Sequence, residues 1–220
     1  MNFQSFLYPR VCPACGKKIP LGRTYCECSD SDPKVVPPNA KLMQPDDPVQ
    51  LRHLCAPFFY DGQIRAQLLA LKFHKQTRFV KPLSHAMAEC VLTWFPDVTF
   101  DVVTFVPMTP ADIRTRSFNQ SALLAQRIAK ELFIECSALL EKSKSTPQQH
   151  TLTVSDRLQN LQNVFLPTSR CKPGLTVLLV DDIKTTGTTL LRCIETLDGA
   201  GIQDVYCVCA AVSSYRSPVD

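Results

Sequence analysis

Apolar positions along the chain follow two rhythms. The short unbroken run Val177 to Val180 reads as a strand buried on both faces of a sheet, the pattern of parallel strands covered by helices; Val102 to Val106 reads as a further buried strand and Val205 to Ala211 as the last strand. Elsewhere apolar residues recur at helical spacing: Ile64, Leu68 and Leu71; Leu83, Met87, Cys90 and Trp94; Leu124, Ile128 and Leu132; Leu190, Leu191, Ile194 and Leu197. Pro57 to Tyr60 reads as a further short strand, and Asp61 is suited to cap the helix that follows. Pro96-Asp97 stops the second helix, and Ser137 to Leu140 reads as a short strand. This alternation predicts an α/β domain with a central parallel sheet flanked by helices. Met87 and Trp94 fall at core positions, and Cys207 and Cys209 alternate in the last strand as inert core thiols.

Residues 1–55 keep neither rhythm. Cys12-Pro13-Ala14-Cys15 is a C-x2-C knuckle, and Cys26-Glu27-Cys28 follows it. Two clustered pairs suggest a tetrahedral thiolate site for a structural Zn²⁺, which would let a small segment hold its shape. His53 or Cys55 could replace one ligand, and free thiols are the alternative. Residues 29–50 are proline-rich and polar and read as an extended loop or linker. The chain therefore divides into a cysteine-rich segment with its linker, 1–55, and a main domain, 56–220. The polar stretch Lys142 to Phe165 is expected to form a mobile cover over a site.

Composition narrows the class. A chain of 220 residues, 45% hydrophobic, suits one α/β domain with a small appendage. The net charge of +4 is compatible with phosphorylated ligands or nucleic acid and selects neither. The N-terminus lacks the pattern of a secretory signal, and no stretch is apolar enough to form a transmembrane segment. A cytoplasmic protein is expected, so its 11 cysteines read as thiols or metal ligands before disulfides.

The chemistry concentrates in Val177 to Thr189, VLLVDDIKTTGTT. A buried strand runs into two carboxylates, Asp181 and Asp182, at the end where open α/β sheets bind ligands. Lys184, Thr185, Thr186, Gly187, Thr188 and Thr189 then form a small hydroxyl-rich loop leading into a helix. Gly187 permits a tight backbone, and the first N–H groups of the helix make a phosphate site. Carboxylates beside a phosphate make sense if they accept from sugar hydroxyls, directly or through Mg²⁺. Phosphate and ribose diol together describe a 5-phosphoribosyl group. A second strand–loop–helix unit carries Arg114 and Arg116, suited to bidentate pairing with phosphate, though a solvated surface is the plainer explanation for two such arginines.

The first stretch resembles the 5-phosphoribosyl-1-pyrophosphate (PRPP) motif of the type I phosphoribosyltransferases. That resemblance implies that Asp181 and Asp182 hold the ribose hydroxyls with Mg²⁺, that the loop through Thr189 holds the 5′-phosphate, and that the Arg114–Arg116 loop faces the pyrophosphate. Arg116-Ser117-Phe118-Asn119-Gln120-Ser121 further resembles the R-G-F-N-Q-S signature of the ComF/GntX proteins. Leu71-Lys72-Phe73, Thr146-x-x-Gln149 and Arg157-x-x-Asn160 with Phe165 are similar to their other motifs, and a cysteine-rich N-terminus is their hallmark. Ser117 departs from their glycine, and Cys26-x-Cys28 from a second C-x2-C. The resemblance implies a competence protein serving DNA uptake, with single-stranded DNA and competence-machinery proteins at the inner membrane as partners. Lys72, Lys75, Arg78, Arg114, Arg116 and Arg157 would line a DNA path, with Phe118 stacking on a base, or the same cations would neutralise PRPP. A phosphoribosyltransferase acting on a nitrogenous acceptor is the alternative function.

Overall fold

The computed structural model describes residues 35–37, 42, 51, 53–143 and 164–213. The candidate zinc ligands Cys12, Cys15, Cys26 and Cys28 lie outside the described residues. So do Arg157, the Thr146, Gln149 and Asn160 positions and most of the proline-rich stretch.

Six parallel strands form the main sheet: β1 (Leu54–Cys55), β2 (Phe58–Phe59), β3 (Val102–Phe105), β4 (Glu135–Cys136), β7 (Thr176–Lys184) and β8 (Asp204–Val212). The order is β1-β8-β7-β3-β4, with β2 continuing β1 along the same edge of β8 in the same register. Pro57, which has no N–H to give a ladder, sits in the break between them, a position that an edge strand tolerates. β5 (Leu140–Lys142) and β6 (Phe165–Pro167) pair antiparallel as a separate ribbon.

Helices cover both faces. α1 (Gly62–His74), α2 (Val80–Trp94) and α4 (Gln120–Leu132) pack Ile64, Leu68, Leu71, Leu83, Met87, Leu124 and Ile128 against Leu178 and Val180. α5 (Thr188–Gly199) packs Leu190, Cys193, Ile194 and Leu197 on the other face, against Val177 and Leu179. The alternation along β7 explains its unbroken apolar run: each face has its own helices. Asp61 caps α1 as expected, its Oδ1 accepting from Gly62 N–H at 2.7 Å.

Four expectations change. β7 does not stop at Val180 but runs to Lys184, because the long β8 keeps pairing it as far as Lys184 opposite Val212. Arg114 and Arg116 lie not in a loop at a helix start but at the end of a short helix, α3 (Pro110–Arg116). Thr109 caps that helix, accepting from Asp112 N–H at 3.1 Å, and Pro110 occupies its first turn. The strand read over Ser137 to Leu140 is instead two short ones on either side of a connection. There Leu139 N–H bonds the buried Thr104 hydroxyl at 3.1 Å. Cys55, weighed above as a replacement zinc ligand, is a buried core residue with its thiol against Cys90. Burial pushes its pKa up, as it does for Cys207 and Cys209.

Candidate functional site

β3 and β7 are neighbours whose following helices, α4 and α5, pack on opposite faces. A crevice opens at the carboxyl ends of two such strands. β3 ends at Phe105 opposite Val180, and the last bond between the two is Val106 N–H to Val180 C=O, 2.9–3.0 Å being the usual ladder distance. β7 continues past this point on its β8 side alone, so Asp181 and Asp182 stand at the crevice.

Each acid has its own partners. The Asp182 N–H points to the side that β3 has left, and Asp181 Oδ1 accepts from it at 2.8 Å. The same oxygen accepts from Ser121 Oγ at 2.8 Å, which ties β7 to the first turn of α4. Lys72, in the last turn of α1, places its Nζ 3.6 Å from Asp182 Oδ2. Burial, then the neighbouring Asp182 carboxylate, push the Asp181 pKa up to about 7; Ser121, the Asp182 N–H and Lys72 act against them. Asp181 thus takes or gives a proton near neutrality, and its ionised form is a hydrogen-bond acceptor that the fold does not fully stabilise.

The loop follows β7 directly. Thr185 and Thr186 are exposed, and Gly187 takes φ 77°, ψ −5° as the cap of α5, a left-handed conformation that suits glycine. The Thr186 and Thr188 hydroxyls lie 3.0 Å apart. Leu191 N–H bonds Gly187 C=O at 2.9 Å, so the N–H groups before it have no partner within the helix and face the loop. Unpaired N–H groups at a helix start are the kind of donors that suit an anion. Lys184 is 2% exposed and belongs to the strand, and Thr189 is exposed in the first turn of α5.

The other predicted residues converge in part. Lys72 meets the acid pair. Arg116 instead lies over the Phe73 ring, its guanidinium carbon 5.7 Å from the centroid, and Arg114 is exposed. Phe118 is half-buried and packs against the core. Two contributors were not foreseen. Asn119 caps α4, accepting from Ala122 N–H at 3.3 Å, and its Nδ2 donates to Val106 C=O at 2.9 Å. It thereby fixes α4 against the end of β3. Its cap role is legible as an Asn before an apolar-periodic segment. The Ser121–Asp181 bond spans 60 positions and has no local signal.

Known proteins resemble this chain over the same region and beyond it. The phosphoribosyl transferase domain model matches residues 119–218, from the cap of α4 through β8. The DNA utilization protein YhgH of Salmonella typhi is 29% identical over 212 residues, 90% of this chain and 83% of that one. Competence protein F of Haemophilus influenzae is 37% identical over 93 residues, 41% of each chain. Competence protein ComFC of Bacillus subtilis is 21% identical over 187 residues, 84% of this chain and 71% of that one. Among the described residues no helix is long and apolar enough to cross a membrane. With its α/β domain built on a central parallel sheet, the chain carries a phosphoribosyl transferase domain match and is similar along most of its length to DNA utilization and competence proteins, findings that support the ComF family of the type I phosphoribosyltransferase superfamily.

Proposed function

We propose that this protein binds PRPP with Mg²⁺ at the β7–α5 crevice and serves DNA uptake by handling incoming single-stranded DNA. The observation that carries the PRPP reading is the junction of an acid pair, a lysine and a threonine loop. Asp181 and Asp182 stand on β7 just past the point where β3 stops pairing with it, Lys72 lies 3.6 Å from Asp182, and Gly187 leads the loop into α5. The DNA reading rests on the names carried by the relatives, a DNA utilization protein and competence proteins, and on Lys72 at the acid pair with Lys75 following on the same helix end.

The donor set fits Mg²⁺. Carboxylate oxygens are the ligands it takes, usually one or two of them with the substrate's own phosphate oxygens. The Asp182 side chain keeps 12% exposure for that role. The ion would offset phosphate charge. Asp181 and Asp182 would accept from the ribose hydroxyls, Thr185 to Thr189 would hold the 5′-phosphate, and Lys72, Arg114 and Arg116 would oppose the pyrophosphate charge. A structural Zn²⁺ on Cys12, Cys15, Cys26 and Cys28 rests on their spacing alone.

A second reading, transfer of the phosphoribosyl group to a nitrogenous acceptor, is favoured by an open groove of about 620 Å³. Phe105, Met108, Ile113, Leu140 and Leu166 line it with Asn119, two residues from the serine that holds Asp181. Such apolar walls suit a flat ring. Release of pyrophosphate on adding candidate bases would select this reading.

Calorimetric titration of PRPP with Mg²⁺ tests the common core of both. Micromolar binding by the native protein, lost in Asp181→Asn/Asp182→Asn, is expected. Binding undiminished in the double variant, or no binding by the native protein, refutes the site.

A further inference from the structure

Phe73 occupies a position that folding does not explain. Its ring is 59% exposed on the last turn of α1, whereas Ile64, Leu68 and Leu71 on the same helix are at most 1% exposed. Burying a phenylalanine is favourable, a gain this side chain largely forgoes. Two contacts fix its place. The preceding residue, Lys72, reaches Asp182 at 3.6 Å, so the last turn of α1, which carries Phe73, borders the acid pair. The Arg116 guanidinium carbon sits 5.7 Å from the ring centroid, so the ring also borders the end of α3.

The surroundings carry cations: Lys72 on the last turn of α1, Lys75 at its C-cap, and Arg116 from α3. An exposed ring beside a guanidinium, at the rim of a phosphate-binding crevice, is the chemistry that holds a base by its face and its phosphate by charge. The most exposed aromatic among the described residues, Phe133 at 89%, does not share this setting. It lies past the far end of the 13-residue α4, whose first turn holds Ser121, so roughly 18 Å of helix separates it from the acid pair.

We propose that Phe73 and Arg116 form a stacking step for a nucleobase at the rim of the ribose-phosphate site. The step rests on the reading of that site given above. The base belongs either to a single strand or to a free acceptor, and the two arms of the test separate them.

The intact protein, Phe73→Leu and Phe73→Trp are compared. One arm follows fluorescein-labelled oligothymidylate by anisotropy. The other follows quenching of the new indole in Phe73→Trp by free adenine and free thymine with Mg²⁺ and PRPP, against the native Trp94 background. PRPP titration of all three proteins is the control. We expect Phe73→Leu to weaken the stacked probe by about 5- to 150-fold, Phe73→Trp to restore it, and PRPP binding to be the same in all three. Dependence on Phe73 in the oligothymidylate arm assigns the base to a strand, and quenching by a free base alone assigns it to an acceptor. Equal oligothymidylate binding by Phe73→Leu and the native protein, with no quenching by either free base, overturns the step. Absence of PRPP binding by the native protein refutes the parent reading separately, and the step then stands or falls on the oligothymidylate arm.

Discussion

Asp181→Asn should make the protein more stable at neutral pH while removing a ribose contact. Burial and the Asp182 carboxylate push the Asp181 pKa from an ordinary 3.8 up to about 7. About three pH units at 1.36 kcal/mol each give an upper bound of roughly 4 kcal/mol for the cost of ionising it in the folded state. Asparagine keeps the geometry, since its Oδ1 can accept from both Ser121 Oγ and the Asp182 N–H. Its own buried amide and the lost attraction to Lys72 reduce the gain, so about 1–4 kcal/mol is expected, or about 2–16 °C in Tm for a chain of this size. The sign follows from proton binding. Below the ordinary value Asp181 is neutral in both states, and the variant gains nothing. Between that value and about 7 the folded native chain holds a proton that the unfolded chain has released, so native stability falls relative to the variant as pH rises. Above about 7 the difference is constant. Urea unfolding of both proteins across this range, plotted as variant minus native, isolates the group. A flat difference curve, or a variant less stable above neutrality, would refute the assignment of a buried, poorly stabilised carboxylate.

Two further outcomes are expected. Ser117 takes φ 74° at the end of α3, where the resembling signature has glycine, so Ser117→Gly should relieve the left-handed strain and raise stability by up to about 1 kcal/mol; a lower Tm would show that the serine conformation is not strained. Metal analysis of the intact chain should find about one Zn²⁺, lost in Cys12→Ser/Cys15→Ser with PRPP binding retained, and a metal-free native chain would rule the thiolate site out.

The sheet and the acid pair were legible because both obey local rules. A strand covered by helices on each face must be apolar throughout, and Val177 to Val180 is. The Thr-Thr-Gly loop is legible because a left-handed turn into a helix calls for glycine, and Gly187 takes that conformation. Other features depended on partners that no local window contains. The length of β7 past Val180 is set by β8. α3 has no buried residue, so no apolar period could announce it, and only Thr109 and Pro110 mark its start. The exposure of Phe73 and the half-burial of Phe118 are decided by packing, although both rings lie beside cations in the sequence.

The places where this chain breaks its own rules separate function from accident. Asp181 is a buried carboxylate held near neutrality, Ser117 and Lys75 are left-handed without being glycine, and Phe73 is an aromatic left in solvent. Natural sequences tolerate such conflicts mainly where a site needs them. Phe133 is also left-handed and even more exposed, yet it lies at the far end of α4 with no cation–ring contact among the described residues. One broken rule is therefore not enough to mark a site. Contact distinguishes the others: Lys72 adjoins Phe73 and meets Asp182, Ser121 meets Asp181, and Arg116, beside Ser117, meets Phe73. These conflicts gather around the last turn of α1, the end of α3 and the carboxyl side of the sheet, and the proposed nucleotide-like ligand would give the acid, the cation and the ring a common cause.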